Sequence, residues 1–208
     1  MTEDDAKAAL QARVSRETFD RLALYADLLI KWQKTINLIA PSTVSQIWGR
    51  HMLDSAQLMD QVPQSAKSWL DLGSGGGFPG LVCAAIAAET HPDLRVNLVE
   101  ADLRKAAFLR ETARQMGLSV GVFSRRIEDL PPQSVDIVSA RALAALTNLC
   151  GFAHRHMAAS GIALFQKGAR HAEELETARQ GWQMDVTVIP SVTDAEAVLF
   201  RIERLTHA

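Results

Sequence analysis

The residues with the most chemical potential are Asp71-Leu72-Gly73-Ser74-Gly75-Gly76-Gly77-Phe78-Pro79-Gly80. Five of the eight residues from Gly73 to Gly80 are glycine. Ordering such a loop costs entropy, which is tolerated where the backbone must turn with positive φ or approach a ligand closely. Three ligand chemistries use glycine loops. A phosphate cradle needs Lys-Ser/Thr after its last glycine, but Leu81-Val82 stands there, so that chemistry is set aside. A dinucleotide fingerprint G-x-G-x-x-G runs through Gly75, Gly77 and Gly80, with Glu100 about 20 residues further on. An S-adenosylmethionine turn sets an acid two residues before Gly-x-Gly-x-Gly, here Asp71 before Gly73, Gly75 and Gly77.

Acids further along separate the last two. Glu100, in Leu98-Val99-Glu100-Ala101-Asp102, ends a strand, where a carboxylate can accept the ribose hydroxyls of either cofactor. Its removal is expected to weaken cofactor binding and spare the fold. Glu128, in Arg126-Ile127-Glu128-Asp129, follows the next strand, beside which an S-adenosylmethionine site sets its adenine. Arg141 follows the strand after that, at the mouth of the same crevice. Its guanidinium suits a cofactor carboxylate or an RNA phosphate. Arg50, His51 and Asp54 fall within one helical turn and share a face. They are placed to link an N-terminal segment to a sheet or to approach a substrate, with His51 read as a hydrogen-bonded structural histidine.

The elements that must position these residues follow from periodicity. Leu22, Tyr25, Leu29 and Trp32 predict a helix from about Ser15 to Lys34, and Ile47, Leu53 and Leu58 a second from about Val44 to Met59. No strand signal precedes Pro63, so residues 1–62 are expected to form a helical cap and 63–208 one compact domain. Strands are predicted at 68–72, 96–99, 119–123, 135–139, 162–165, 183–189 and 197–205. Helices are predicted at 81–88, 103–116, 143–157 and 172–179. Alternating strands and helices imply an α/β fold with a mostly parallel seven-stranded sheet. Only Pro190 to Glu196 separates the last two strands, so they are expected to form an antiparallel hairpin. That ending suits a methyltransferase sheet better than an all-parallel dinucleotide sheet.

The chain has 208 residues, 48% hydrophobic and 22% charged, with a formal charge of −2. RNA would therefore meet a local basic face rather than a polycation. Arg104, Lys105, Arg125, Arg126, His154, Arg155, His156, Lys167, Arg170 and His171 are the candidates. Cys83 and Cys150, both in apolar runs, are expected as buried free thiols, and no metal site is expected. The acidic N-terminus has no hydrophobic signal core and no run reaches spanning length, so a cytoplasmic location is expected.

The sequence resembles the bacterial 16S ribosomal RNA (guanine-N7) methyltransferase G family, also called glucose-inhibited division protein B. The carriers are Trp32-Gln33-Lys34-Thr35-Ile36-Asn37-Leu38, Arg50-His51-Met52-Leu53-Asp54-Ser55, Asp71 to Gly80, Glu100 to Lys105, Ser139-Ala140-Arg141-Ala142 and Lys167-Gly168. The resemblance spans about residues 25–205. It implies a Rossmann-like class I S-adenosylmethionine-dependent methyltransferase acting on N7 of a guanine near the decoding site of 16S ribosomal RNA. The implied cofactor contacts are Gly73, Ser74, Gly75, Gly77, Phe78, Glu100, Ala101, Asp102, Ile127, Glu128 and Arg141. No catalytic residue is implied, because N7 carries no proton to remove. The implied partner is 16S ribosomal RNA or the small-subunit particle, met by a monomer. Gln33 stands where many family members have Asn, a departure that lies outside the cofactor loop. Other classes stay open: an NAD-dependent oxidoreductase, a non-catalytic RNA-binding protein, or a small-molecule methyltransferase.

Overall fold

The computed structural model describes residues 1–208. Strands β1 (Ser68–Leu72), β2 (Arg95–Val99), β3 (Gly121–Phe123), β4 (Val135–Arg141), β5 (Met157–Lys167), β6 (Trp182–Pro190) and β7 (Val198–His207) form one sheet in the order β3-β2-β1-β4-β5-β7-β6. The first five strands pair in parallel; β7 runs antiparallel between β5 and β6. This is the expected mostly parallel sheet with an antiparallel last hairpin. The strand order reverses at β1 and β4, so a crevice opens at their carboxyl ends, where open α/β sheets bind ligands.

The strand period of two divides the core. Trp69 faces one side, with α2 (Arg16–Gln33), α4 (Gly80–Thr90) and α5 (Leu103–Gln115); Leu70 and Leu72 face the other, with α6 (Leu146–His156) and α7 (His171–Arg179). Cys83 and Cys150 are buried free thiols, one in each half. No helix is long and apolar enough to cross a membrane.

Three elements differ from expectation. Helix α1 (Glu3–Gln11) was not predicted; Thr2 caps it, its hydroxyl accepting from Asp5 N while the Asp5 carboxylate accepts from Thr2 N. That reciprocal cap was legible as Thr2-x-x-Asp5. The helix expected over 44–59 is instead a chain of tight and wide turns. These are a 3₁₀ turn (Pro41–Gln46), a wide π turn (Ile47–Leu53), a single α turn, α3 (Asp54–Ala56), and a second 3₁₀ turn (Gln57–Gln61). The cause is tertiary. Glu3 of α1 takes the Trp48 and Gly49 amides, both at 2.8 Å, and Asp54 is drawn sideways toward the sheet. Finally, β5 begins at Met157 directly after α6, without the expected intervening loop, and its register shifts between Val135 and Ile137 of β4.

Candidate functional site

A cavity of about 860 Å³ opens at the reversal of strand order. One wall is the loop between β1 and α4. Gly73, Gly75 and Gly77 have φ of 63°, 54° and 97°, the left-handed region that favours glycine. At Gly75 a side chain would meet only the Gly73 carbonyl oxygen, at 3.8 Å, so its backbone stands open to a ligand. Gly77 is the reverse case. A Cβ there would lie 2.5 Å from the Tyr25 hydroxyl and 2.7 Å from Leu81, so this glycine serves close packing of the cap.

Asp71 is wholly buried beneath the loop. Its Oδ1 accepts from the Ser139 hydroxyl at 2.6 Å, and that hydroxyl accepts from Trp69 Nε1 at 2.7 Å. Its Oδ2 accepts from Gly80 N at 3.3 Å. Burial raises the Asp71 carboxyl to about 6, against the lowering effect of these bonds. The acid of the motif thus supports the loop from below and does not face the cavity.

Glu100, at the end of β2, braces the loop from the side. Oε2 accepts from Gly75 N and Oε1 from Asp102 N, each at 2.8 Å. The side chain is buried, so it is not a solvated strand-end acid. A carboxylate offers about four acceptor sites, so each oxygen keeps a lone pair for a ligand hydroxyl.

Residues of the N-terminal segment close the cavity. The Tyr25 hydroxyl donates to the Gly76 carbonyl. The Tyr25 ring stacks on Phe78 at 5.2 Å between centroids; Phe78 also meets His51 at 4.9 Å and the Arg141 guanidinium at 5.0 Å. Gln33 organises the stretch that lies over Gly76. Its Oε1 accepts from Leu38 N and Ile39 N at 2.9 and 3.1 Å, and its Nε2 donates to Ile39 O at 2.8 Å. Leu38 and Ile39 line the cavity, so Gln33 shapes the site from outside the glycine loop.

Arg141 bridges β4 to the wide π turn. It donates to the Arg50 carbonyl at 2.8 Å and to His51 Nδ1 at 2.7 Å, and lies 3.4 Å from Asp54 Oδ2. Arginine has no acceptor, so Nδ1 must be the lone-pair nitrogen of His51. The Thr43 hydroxyl spends its proton on Ala40 O and accepts from His51 Nε2 at 2.9 Å. Both ends therefore fix the neutral Nε2–H form. Burial, with the nearby Arg141 and Arg50 charges, pushes the imidazole down to about 3. His51 is hydrogen-bonded through both ring nitrogens, which leaves it no free lone pair.

Asp54 is the centre of the opposite wall. Its Oδ2 accepts from Gln166 Nε2 at 2.6 Å, and its Oδ1 from Gln57 Nε2 at 2.8 Å and the Thr193 hydroxyl at 3.1 Å. Burial raises its carboxyl, and the Arg141 charge opposes that shift.

The match to known proteins is close. The family model described as rRNA small subunit methyltransferase G matches residues 18–200. The chain belongs to this family. It is 58% identical over 201 residues to the ribosomal RNA small subunit methyltransferase G of Jannaschia sp. (strain CCS1), covering 97% of this chain and 95% of that one. The namesake from Cereibacter sphaeroides (strain ATCC 17025 / ATH 2.4.3) is 52% identical over 207 residues, with 100% of both chains covered. Among solved structures, a SAM dependent methyltransferase from Aquifex aeolicus aligns with TM-score 0.56 and 15% identity, over 83% of this chain and 97% of that one. A mutant of MtNAS in complex with S-adenosylmethionine aligns with TM-score 0.57 and 15% identity, over 88% and 74%. At that identity the likeness carries the fold, a Rossmann-like methyltransferase sheet.

Of the eleven residues expected at the cofactor, this family member brings Gly73, Ser74, Gly75, Phe78, Glu100, Ala101, Ile127, Glu128 and Arg141 to the cavity wall. Gly77 packs under Tyr25, and Asp102 Oδ1 caps α5 by accepting from Arg104 N and Lys105 N. Several basic candidates lie elsewhere or are engaged. His156 is wholly buried, and Lys167 Nζ lies 2.6 Å from Glu174 and donates to Ala144 O. Arg125 and Arg126 are exposed at the cavity rim, with half-buried Lys105 beside them. Sequence reasoning passed over Thr43, Gln166, Thr193 and Asp194, polar residues outside any motif.

Proposed function

We propose that the chain methylates N7 of a guanine near the decoding site of 16S ribosomal RNA, free or in the small-subunit particle, as a cytoplasmic monomer whose cap (1–62) and sheet domain (63–208) act as one. The observation that carries this is one cavity shared by an open glycine loop braced by a buried strand-end carboxylate and a rim bearing Arg125 and Arg126.

The residues present fit S-adenosylmethionine. Gly73 to Gly75 offer backbone to its amino-acid end, Glu100 its free lone pairs to the ribose hydroxyls, and Ile127 and Glu128 a wall for the adenine. When bound, the cofactor supplies an electrophilic methyl group on a sulfonium. Arg141 is already committed to His51, Arg50 and Asp54, so its role is to hold the cap in place, and salt-bridging a ligand comes second.

The reaction needs no side chain as a general base. The His51 lone pair is locked to Arg141, and Asp71 and Asp54 are engaged by donors. Guanine N7 has an in-plane lone pair and no proton at neutral pH, so nothing has to be deprotonated. The protein's task is alignment, which can supply roughly 7–11 kcal/mol of the barrier.

The deciding experiment maps modified bases in 16S ribosomal RNA from cells with and without the protein. A site cleavable by borohydride and aniline only when the protein is present supports the reading; identical maps reject it. Charge reversal at both Arg125 and Arg126 is expected to weaken RNA binding and lower its salt dependence by about two contacts, with cofactor affinity unchanged. Lys167 is unsuited to such a test, because reversing it breaks its ion pair with Glu174.

A further inference from the structure

Lys167 lines the cavity, yet its charge is turned to the protein. Its Nζ lies 2.6 Å from Glu174 Oε2 and donates to Ala144 O at 3.0 Å. The same Glu174 oxygen accepts from Leu146 N at 2.8 Å. One ion pair between β5 and α7 therefore grips two backbone groups, a carbonyl and an amide, on either side of Ala145. Both belong to the connection between β4 and α6. The side chains of the pair are only 10% and 22% exposed, so water competes little for these bonds.

The gripped connection is the part of the site with least else to hold it. Ala142 has φ of 51°, the left-handed region that a residue with a Cβ rarely adopts. Such a conformation persists only where its surroundings impose it. Leu143, the next residue, lies on the first glycine of the loop. A Cβ built on Gly73 would stand 2.5 Å from Leu143 Cδ1 and 3.3 Å from its Cγ. Ala142, Leu143 and Ala144 line the 860 Å³ cavity and also a second one of about 480 Å³. The connection is thus a partition with a cavity on each side, and atoms that face a cavity lack packing partners there. The bonds from Lys167 and Glu174 are left to fix how far Leu143 reaches over Gly73.

We propose that Lys167 and Glu174 are positioning residues: they hold the connection between β4 and α6 against the glycine loop, and so set the fit of the cofactor's amino-acid end. This deepens the reading above, in which that end meets the backbone of Gly73 to Gly75, and it rests on that reading. It also gives Lys167 a task other than contact with an RNA phosphate. Its charge is spent on a carboxylate and one of its protons on a carbonyl.

The test is calorimetry with two ligands. S-adenosylhomocysteine carries adenine, ribose, sulfur and the amino-acid end; 5′-methylthioadenosine carries all but the last. The ratio of their affinities is measured for the wild type, Lys167→Met, Glu174→Leu and Glu174→Gln. The wild type is expected to prefer S-adenosylhomocysteine. Lys167→Met keeps the apolar stem and removes the donor, and Glu174→Leu removes the acceptor. In both, the preference is expected to shrink by roughly threefold to tenfold, the scale of one ordinary hydrogen bond. Glu174→Gln keeps an oxygen that can accept from both Leu146 N and Lys167, and is expected to hold the preference to within about twofold. Each ratio is taken within one variant, so a general loosening of the fold cancels. The salt dependence of RNA binding is expected to be the same in Lys167→Met as in the wild type. A preference unchanged in both Lys167→Met and Glu174→Leu, or a salt slope lowered by about one contact in Lys167→Met, overturns the inference. A wild type that binds the two ligands equally overturns the underlying placement of the amino-acid end instead.

Discussion

The two ends of the cavity are built on opposite plans. The glycine-loop end is made from chain neighbours, residues 73–80 and 100–102, and its contacts run largely through backbone amides such as Gly75 N and Asp102 N. The Asp54 end is made from side chains of distant segments. Arg141, Gln166 and Thr193 come from β4, β5 and the last turn, 87, 112 and 139 residues away in sequence. The first end is a local solution to presenting backbone. The second is a tertiary junction in which one carboxylate sets the positions of several groups, so the two ends should fail differently.

The sharpest break is expected at Asp54. Asp54→Ala leaves the Arg141 guanidinium without its carboxylate and several donors unpaired. Losing one partner of a buried pair costs about 3–5 kcal/mol, read as a fall in unfolding free energy in urea. A loss below about 1 kcal/mol would mean the junction is held by packing alone. Glu100→Gln probes the other end. Its amide nitrogen must face either Gly75 N or Asp102 N, donor against donor. A loss of about 1.5–3 kcal/mol in cofactor binding is expected by calorimetry. Stability should fall as well, because the carboxylate braces two amides, whereas the sequence alone led to the expectation that the fold would be spared. Unchanged affinity with lowered stability would restrict Glu100 to bracing.

The smallest effect is a pH dependence. His51 is held near 3 when folded and titrates near 6.5 when unfolded. Its contribution is complete above about 6.5 and is lost as pH falls toward 3, because the unfolded chain takes up the proton. Asp71, raised to about 6, has the opposite sign: it favours the folded chain at low pH and loses that advantage as pH rises through 6. The two therefore offset each other between about 4 and 6, and the His51 effect is best seen as a difference. Between pH 7 and pH 5 the wild type should lose about 2 kcal/mol relative to His51→Gln. Parallel stability curves would show that His51 titrates normally. The methylation rate should show no titration with a histidine-like pKa over this range.

The same contrast explains what the sequence could reveal. The seven strands, the glycine loop and the strand-end position of Glu100 rest on short apolar runs, glycine clustering and the order of acids, which are local signals; the bracing of two amides by Glu100 is not among them. The broken course of residues 41–61 was hidden because Ile47, Leu53 and Leu58 keep helical spacing while Glu3 and the Asp54 junction pull the backbone out of a regular helix. Arg141 was placed correctly at the crevice mouth, but its partners were invisible, since His51 and Asp54 reach it only after the cap docks. Asp194 and Gln166 sit in no motif. Lys167 read as a free cation because its partner Glu174 lies on the following helix, α7.

One bond ties the glycine loop to α2. The Tyr25 hydroxyl holds the Gly76 carbonyl, so the glycine loop and α2 are joined although they lie 51 residues apart. A ligand that stills the loop must then slow the opening of α2 too, and amide hydrogen exchange along Arg16–Gln33 becomes a distant reporter of what the crevice holds.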